Sequence, residues 1–175
     1  MPDGLSKVRV LVVDANAHMR TIVSSVLIAV GVGHVRECAD GAEALKTLEH
    51  WQTDIAIVDY RMAPIDGLEF TRLVRNAEDS VNPYLPIIML TGDASRQMVL
   101  DARDAGVTEF VAKPMNAQAI LDRLNNVIFK PRSFVKTADY FGPDRRRKQD
   151  ESYNGPWRRE GDASIHGVAM PTAQI

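Results

Sequence analysis

Five short apolar runs, separated by stretches of helix length, constrain this chain more than any other feature. Residues 8–13, 34–37, 54–58, 86–90 and 108–111 read as strands, rich in β-branched residues and nearly continuous in hydrophobicity. Continuous rather than alternating runs predict strands covered on both faces. Residues 17–30, 41–49, 67–76, 95–105 and 116–128 read as helices. The last repeats apolar residues at Ile120, Leu121, Leu124, Val127 and Ile128. Asp40 and Asp66 each precede a glycine where a helix N-cap belongs, and Gly31 and Gly106 stand where helices end. Five such units with short links predict an α/β fold: a doubly wound, five-stranded parallel sheet of flavodoxin-like topology.

Four of the runs end in a group with chemistry. Residues 10–14 (VLVVD) end in Asp14, 55–59 (IAIVD) in Asp59, 87–91 (IIMLT) in Thr91, and 110–113 (FVAK) in Lys113, followed by Pro114. In a parallel sheet the residues just past the carboxyl ends of the strands gather at one edge, where open α/β proteins bind ligands. Two carboxylates there can hold Mg²⁺. A hydroxyl and an ammonium can receive the oxygens of a phosphoryl group.

This ordered set, with Asp66-Gly67 seven residues past Asp59, resembles the receiver domain of bacterial two-component response regulators. The resemblance covers residues 7 to about 130. It implies that Asp59 accepts a phosphoryl group from a phosphohistidine as an acyl phosphate, with Thr91 and Lys113 as the groups that meet it. It also implies Mg²⁺ at Asp14, Asp59 and the backbone carbonyl of Arg61, a cis peptide at Lys113-Pro114, and an aromatic switch position at Phe110.

The chain departs from that pattern in two places. Receivers usually carry two adjacent acids after the first strand, but this chain reads Asp14-Ala15-Asn16. Ala15 falls at the direct metal ligand, so Mg²⁺ binding is expected to be weak, with Asn16 as an uncharged substitute oxygen. The loop after Asp59 has its proline at position 64, one residue later than usual. Arg61 and Asp93, each two residues past a site residue, are expected to flank the mouth and to pair across it or to touch the phosphoryl group.

After Lys130 the pattern stops. Residues 131–175 hold few aliphatics and many Gly, Pro, Arg and Asp, and are expected to form a disordered or extended tail on a receiver domain of residues 1–130. The domain has thirteen basic against seventeen acidic residues, net −4; the tail has eight against six, net +2. The tail repeats itself. Tyr140-Phe-Gly-Pro-Asp-Arg-Arg146 recurs as Tyr153-Asn-Gly-Pro-Trp-Arg-Arg159, identical at five of seven positions. Each copy offers an aromatic, a Gly-Pro bend and an arginine pair. The two copies read either as duplicated linker or as a docking motif for an acidic surface.

The expected function is that of a single-domain response regulator in a phosphorelay. It would be phosphorylated by a histidine kinase or phosphotransfer protein. It would signal to a downstream protein through the face of the fourth helix, fifth strand and fifth helix, or through the tail. The alternative is a pseudo-receiver with a decayed Mg²⁺ site, acting without phosphorylation. No enzyme with external turnover is expected, only self-phosphorylation and slow self-hydrolysis. A net charge of −2 and the absence of a helix-turn-helix pattern argue against nucleic acid as a partner. No run approaches the ~20 apolar residues of a membrane span. The single cysteine, Cys38, rules out an internal disulfide and fits a cytoplasmic protein.

Overall fold

The computed structural model describes residues 3–93 and 95–145. A short 3₁₀ turn at Asp3–Lys7 leads into β1 (Arg9–Val13), α1 (Ala17–Ala29), β2 (His34–Cys38), α2 (Gly41–His50) and β3 (Ile55–Asp59). Then come α3 (Gly67–Asn76), β4 (Ile87–Thr91), α4 (Arg96–Ala105), β5 (Glu109–Ala112) and α5 (Ala117–Phe129). The first five strands form one parallel sheet in the order β2-β1-β3-β4-β5. The expected α/β architecture is therefore present.

The strand period of two sorts the core into two layers. Val10, Val12, Ile55, Ile57, Ile88, Leu90 and Val111 face one way and pack against Val23 and Leu27 of α1 and Ile120, Leu124 and Val127 of α5. Leu11, Val13, Ala56, Val58 and Ile87 face the other way, against Ala44 of α2 and Phe70 and Val74 of α3. Met89 meets Met98, Ala102 and Ala105 of α4 on its own side. Both faces of the central strands are dry, which is why their sequences do not alternate. Strand β2 differs: His34, Arg36 and Glu37 are exposed. It is an edge strand with β1 as its one partner, so a continuous apolar run is not required there.

The helix ends follow the local chemistry. The Asp40 carboxylate accepts from Ala42 and Glu43 N–H, and that of Asp66 accepts from Glu69 N–H, so both are N-caps. Gly31 and Gly106 adopt φ of +94° and +96°, the left-handed conformation that ends a helix at low cost in glycine. Among the described residues no helix is long and apolar enough to cross a membrane.

The structure differs from expectation just beyond Lys130. Residues 131–145 pack back onto the domain instead of leaving it. Strands β6 (Phe134–Lys136) and β7 (Phe141–Pro143) form an antiparallel hairpin. Phe134, 2% exposed, and Phe141 form a three-ring cluster with Tyr84, with centroids 5.1–5.7 Å apart. Composition averaged over 45 residues hides two well-placed phenylalanines. Burying one such ring is worth roughly 1.5–3 kcal/mol, and it adds to the backbone pairing of the hairpin and the Arg75 contact in offsetting the cost of ordering the segment. The second copy of the repeat, Tyr153 to Arg159, lies outside the described residues.

Candidate functional site

Strand register sets the site. Val13 stands beside Val58, Asp59 beside Leu90 and Thr91 beside Ala112, so the next residues of β1 and β5, Asp14 and Lys113, reach the same edge. Asp14 and Asp59 are 2% and 7% exposed. The Lys113 ammonium bridges them, with Nζ 2.7 Å from Asp59 Oδ1 and 3.0 Å from Asp14 Oδ2. The Lys113-Pro114 peptide is cis, and so is Ala63-Pro64 in the loop past Asp59. The remaining carboxylate oxygens accept from the backbone: Asp14 Oδ1 from Asn16 N–H at 2.8 Å, and Asp59 Oδ2 from Arg61 N–H at 3.2 Å.

Two acids on one ammonium leave the pocket with an excess negative charge. Burial, and secondarily the Asp14 charge, raise the Asp59 pKa, although the Lys113 and Arg61 hydrogen bonds oppose the shift. For Lys113 burial acts to lower the pKa, but the bonds to Asp59 and Asp14 outweigh it and hold the ammonium above its ordinary value. The group that carries the positive charge is thus firmly charged. The carboxylate beside it holds its own charge at a cost.

Thr91 is fully buried, and its hydroxyl is engaged with the following loop. Oγ1 donates to Asp93 O at 2.8 Å and accepts from Asp93 N–H at 3.0 Å. The structure therefore brings Asp14, Asp59 and Lys113 into direct contact and leaves Thr91 beside them on β4 with its hydroxyl turned to its own loop. Asp93 is held by Ser95 N–H at 2.8 Å. That bond, with a smaller contribution from the Arg61 charge, lowers its pKa. Arg61 and Asp93 do line one open depression, together with Ala15, Tyr60, Met62, Ala63 and Asp66.

The donor set around Asp14 and Asp59 suits a hard cation such as Mg²⁺, which prefers oxygen and is commonly held by one or two carboxylates. Ala15 lines the mouth and adds no ligand. Among the described residues no group of three or more His, Cys, Asp or Glu converges in a metal-binding arrangement. The Asn16 side chain is engaged by the helix instead. Its Oδ1 caps α1, accepting from His18 N–H at 2.9 Å and Met19 N–H at 3.3 Å. An asparagine just before a helical pattern is an N-cap signal, and that signal is present in the sequence.

Arg20 is a residue the sequence did not mark. Its guanidinium donates to the Asp14 carbonyl at 2.7 Å and pairs with Glu37 at 3.4 Å, while Ser24 Oγ donates to Glu37 at 2.6 Å. This chain of contacts fixes the backbone that carries Asp14. Nothing in residue spacing announces it, because it joins α1 to the edge strand β2.

With this geometry in view, a family model described as the response regulator receiver domain matches residues 10–125. The chemotaxis protein CheY of Pseudomonas aeruginosa is 31% identical over 119 residues, covering 68% of this chain and 94% of that protein. The solved structure of the chemotaxis response regulator CheY4 of Vibrio cholerae is 33% identical, with a TM-score of 0.63, over 69% of this chain and 98% of the other. The receiver domain of the Pseudomonas aeruginosa sensor histidine kinase PA1611, solved with magnesium in its active-site cleft, is 28% identical. Its TM-score is 0.60, over 67% of this chain and 94% of the other.

Proposed function

This chain belongs to the response regulator receiver domain family, whose members serve two-component phosphorelay signalling, and from that premise we propose that it takes a phosphoryl group on Asp59. The observation that carries the assignment is the Lys113 ammonium bridging Asp59 and Asp14 at 2.7 and 3.0 Å. An Asp59 carboxylate oxygen attacks the phosphorus of a phosphohistidine on a histidine kinase or phosphotransfer protein. A P–O bond forms, the P–N bond breaks, and the imidazole leaves and takes up a proton. The product is an acyl phosphate. Little covalent work falls to the protein, which positions groups and balances charge.

Lys113 supplies that balance. Before transfer it holds two carboxylates, and afterwards it can follow the phosphoryl oxygens. Thr91 gives up its loop contacts to Asp93 and donates its hydroxyl to the phosphoryl group. Asp14, Asp59 and the Arg61 carbonyl would hold Mg²⁺, which supplies charge neutralisation on the transferring group. With Ala15 in place of a second acid, that binding is weak. The reading puts the chain in the cytoplasm. Its output is protein binding through the face of α4, β5 and α5, where Phe110 is half-buried and its carbonyl accepts from Arg123 at 3.1 Å.

The test is intact mass after incubation with a small phosphodonor, with and without Mg²⁺. The expected result is one added phosphoryl group on the wild type and none on Asp59→Asn. Stoichiometric, base-labile uptake by Asp59→Asn would assign the acceptor elsewhere.

A further inference from the structure

Residues 140–145 of the first copy are bound to the domain, and the residues that bind them are largely those the second copy shares. The seat lies at the C-terminal ends of α3 and α4, at the sheet edge opposite Asp59. Gly142 lies against Gly106; a Cβ there would stand 3.0 Å from Gly106 Cα and 2.5 Å from Tyr140 Oη. Pro143 is buried opposite Phe134 in the hairpin, and its carbonyl accepts from Tyr140 Oη at 2.8 Å. The Arg145 guanidinium stacks 3.8 Å from the Tyr140 ring centre and pairs with Asp104 of α4 at 3.4 Å. Tyr140, Gly142, Pro143 and Arg145 correspond to Tyr153, Gly155, Pro156 and Arg158.

The strand pairing within the copy is made by the backbone, and the Phe141 ring, which the second copy lacks, adds its contacts with Tyr84 and Phe134. Strand β6 pairs Val135 with Gly142 and Lys136 with Phe141, and Ser133 O accepts from Asp144 N–H at 2.7 Å. By sequence, Gly155, Asn154 and Trp157 are the counterparts of Gly142, Phe141 and Asp144 after a shift of thirteen residues. The shift replaces the Phe141 ring with an asparagine and the Asp144 carboxylate with an indole.

The seat also carries a cost that makes exchange feasible. Beneath the hairpin Arg75 is 3% exposed and lies 5.1 Å from the Phe134 ring centre. Its Nε and Nη1 donate to the carbonyls of Gly106 and Pro83, while Nη2 has no partner among the described residues. A buried cation without a counter-ion weakens the closure that buries it.

We infer that the Gly106–Arg75 seat recognises the Tyr-x-Gly-Pro-x-Arg motif itself, and that Tyr153 to Arg159 is a second occupant that exchanges with the first within one chain. Phe141 favours the first copy through its contacts with Tyr84 and Phe134. The second copy needs a loop longer by thirteen residues, a penalty that grows only slowly with length. Tethering keeps it at roughly millimolar effective concentration, above any free chain at ordinary dilution. Exchange would release Asp104 from Arg145 and set Trp157 beside Ser133, so the domain would present a different surface on that edge.

The test uses the full chain labelled with fluorotryptophan, with the Trp157 ¹⁹F line assigned by Trp157→Phe. Gly142→Val blocks the close approach to Gly106 in the first copy only. Phe141→Asn, a milder change, gives the first copy the second copy's residue. The expected result is a shift of the Trp157 line in both variants, independent of protein concentration and reversed when Gly155→Val is added. A Trp157 line that stays put in both variants overturns the inference. A shift that grows with concentration overturns it as well, because the second copy would then be binding a neighbouring chain.

Discussion

The Lys113 ammonium lies 2.7 Å from Asp59 Oδ1, although 54 residues separate the two in sequence. The same ammonium is shared with Asp14, so Asp59 has half a counter-ion and a like charge beside it. Its pKa is raised by burial first and by Asp14 next. The carboxylate is therefore less stable in the folded, metal-free protein than in the unfolded chain.

Asp59→Asn is expected to stabilise the metal-free protein by roughly 0.5–2 kcal/mol, the range of single stabilising substitutions. Asparagine keeps the shape and one acceptor oxygen, and Lys113 keeps Asp14. Urea unfolding of both proteins without divalent cations checks this. A less stable variant would mean that the Lys113 pair outweighs burial and repulsion.

The pH dependence has a definite sign. Because the folded pKa of Asp59 lies above the ordinary 3.8, the folded state binds the proton more readily. Its penalty is absent below pH 3.8 and grows as pH rises through the raised value. Lys113 is also raised, so its contribution is full below 10.5 and is lost as pH climbs through its folded value. Stability against pH for wild type and Asp59→Asn should diverge on the acid side as pH rises, with wild type falling below the variant.

Ala15→Asp is expected to tighten Mg²⁺ binding. At an effective dielectric of about 20 a carboxylate near a divalent ion at ~4 Å gains several kcal/mol. Desolvation and repulsion from Asp14 and Asp59 return part of that. A net gain of roughly 1–3 kcal/mol corresponds to about 5- to 150-fold in affinity. Calorimetric titration of both proteins decides it. Equal dissociation constants would show that another group already fills that coordination position.

Asn16→Ala separates the cap from the metal. Loss of the two bonds from His18 and Met19 N–H should cost about 0.5–2 kcal/mol of stability. Mg²⁺ affinity should stay within a factor of about two, since Oδ1 is committed to the helix. A large fall in affinity would give Asn16 the ligand role that its hydrogen bonds argue against.

Phe134→Ala should destabilise the chain by about 3 kcal/mol, because a fully buried ring is removed from between Arg75, Tyr84 and Phe141. Urea unfolding read by amide exchange shows whether the loss is local. Protection of Val135 and Gly142 should vanish first. Unchanged protection there would mean that the backbone pairing alone holds the hairpin.

The sequence by itself determined the sheet and the carboxyl edge at which Asp14, Asp59 and Lys113 meet. Strand and helix periods are local signals, and a parallel sheet brings strand ends together whatever the intervening loops. Asp14, Asp59 and Lys113 were legible for that reason, as were the caps at Asp40 and Asp66. Only the tertiary structure decided what depends on contacts between distant segments. It turned the Thr91 hydroxyl to Asp93, committed Asn16 to α1, and fastened Asp14 through Arg20 and Glu37. It also drew residues 131–145 back onto Arg75 and Tyr84. Composition could not foresee that last step. A hairpin this short carries too little apolar area to order itself, and its stability comes from a surface that exists only once α3, α4 and β5 have packed.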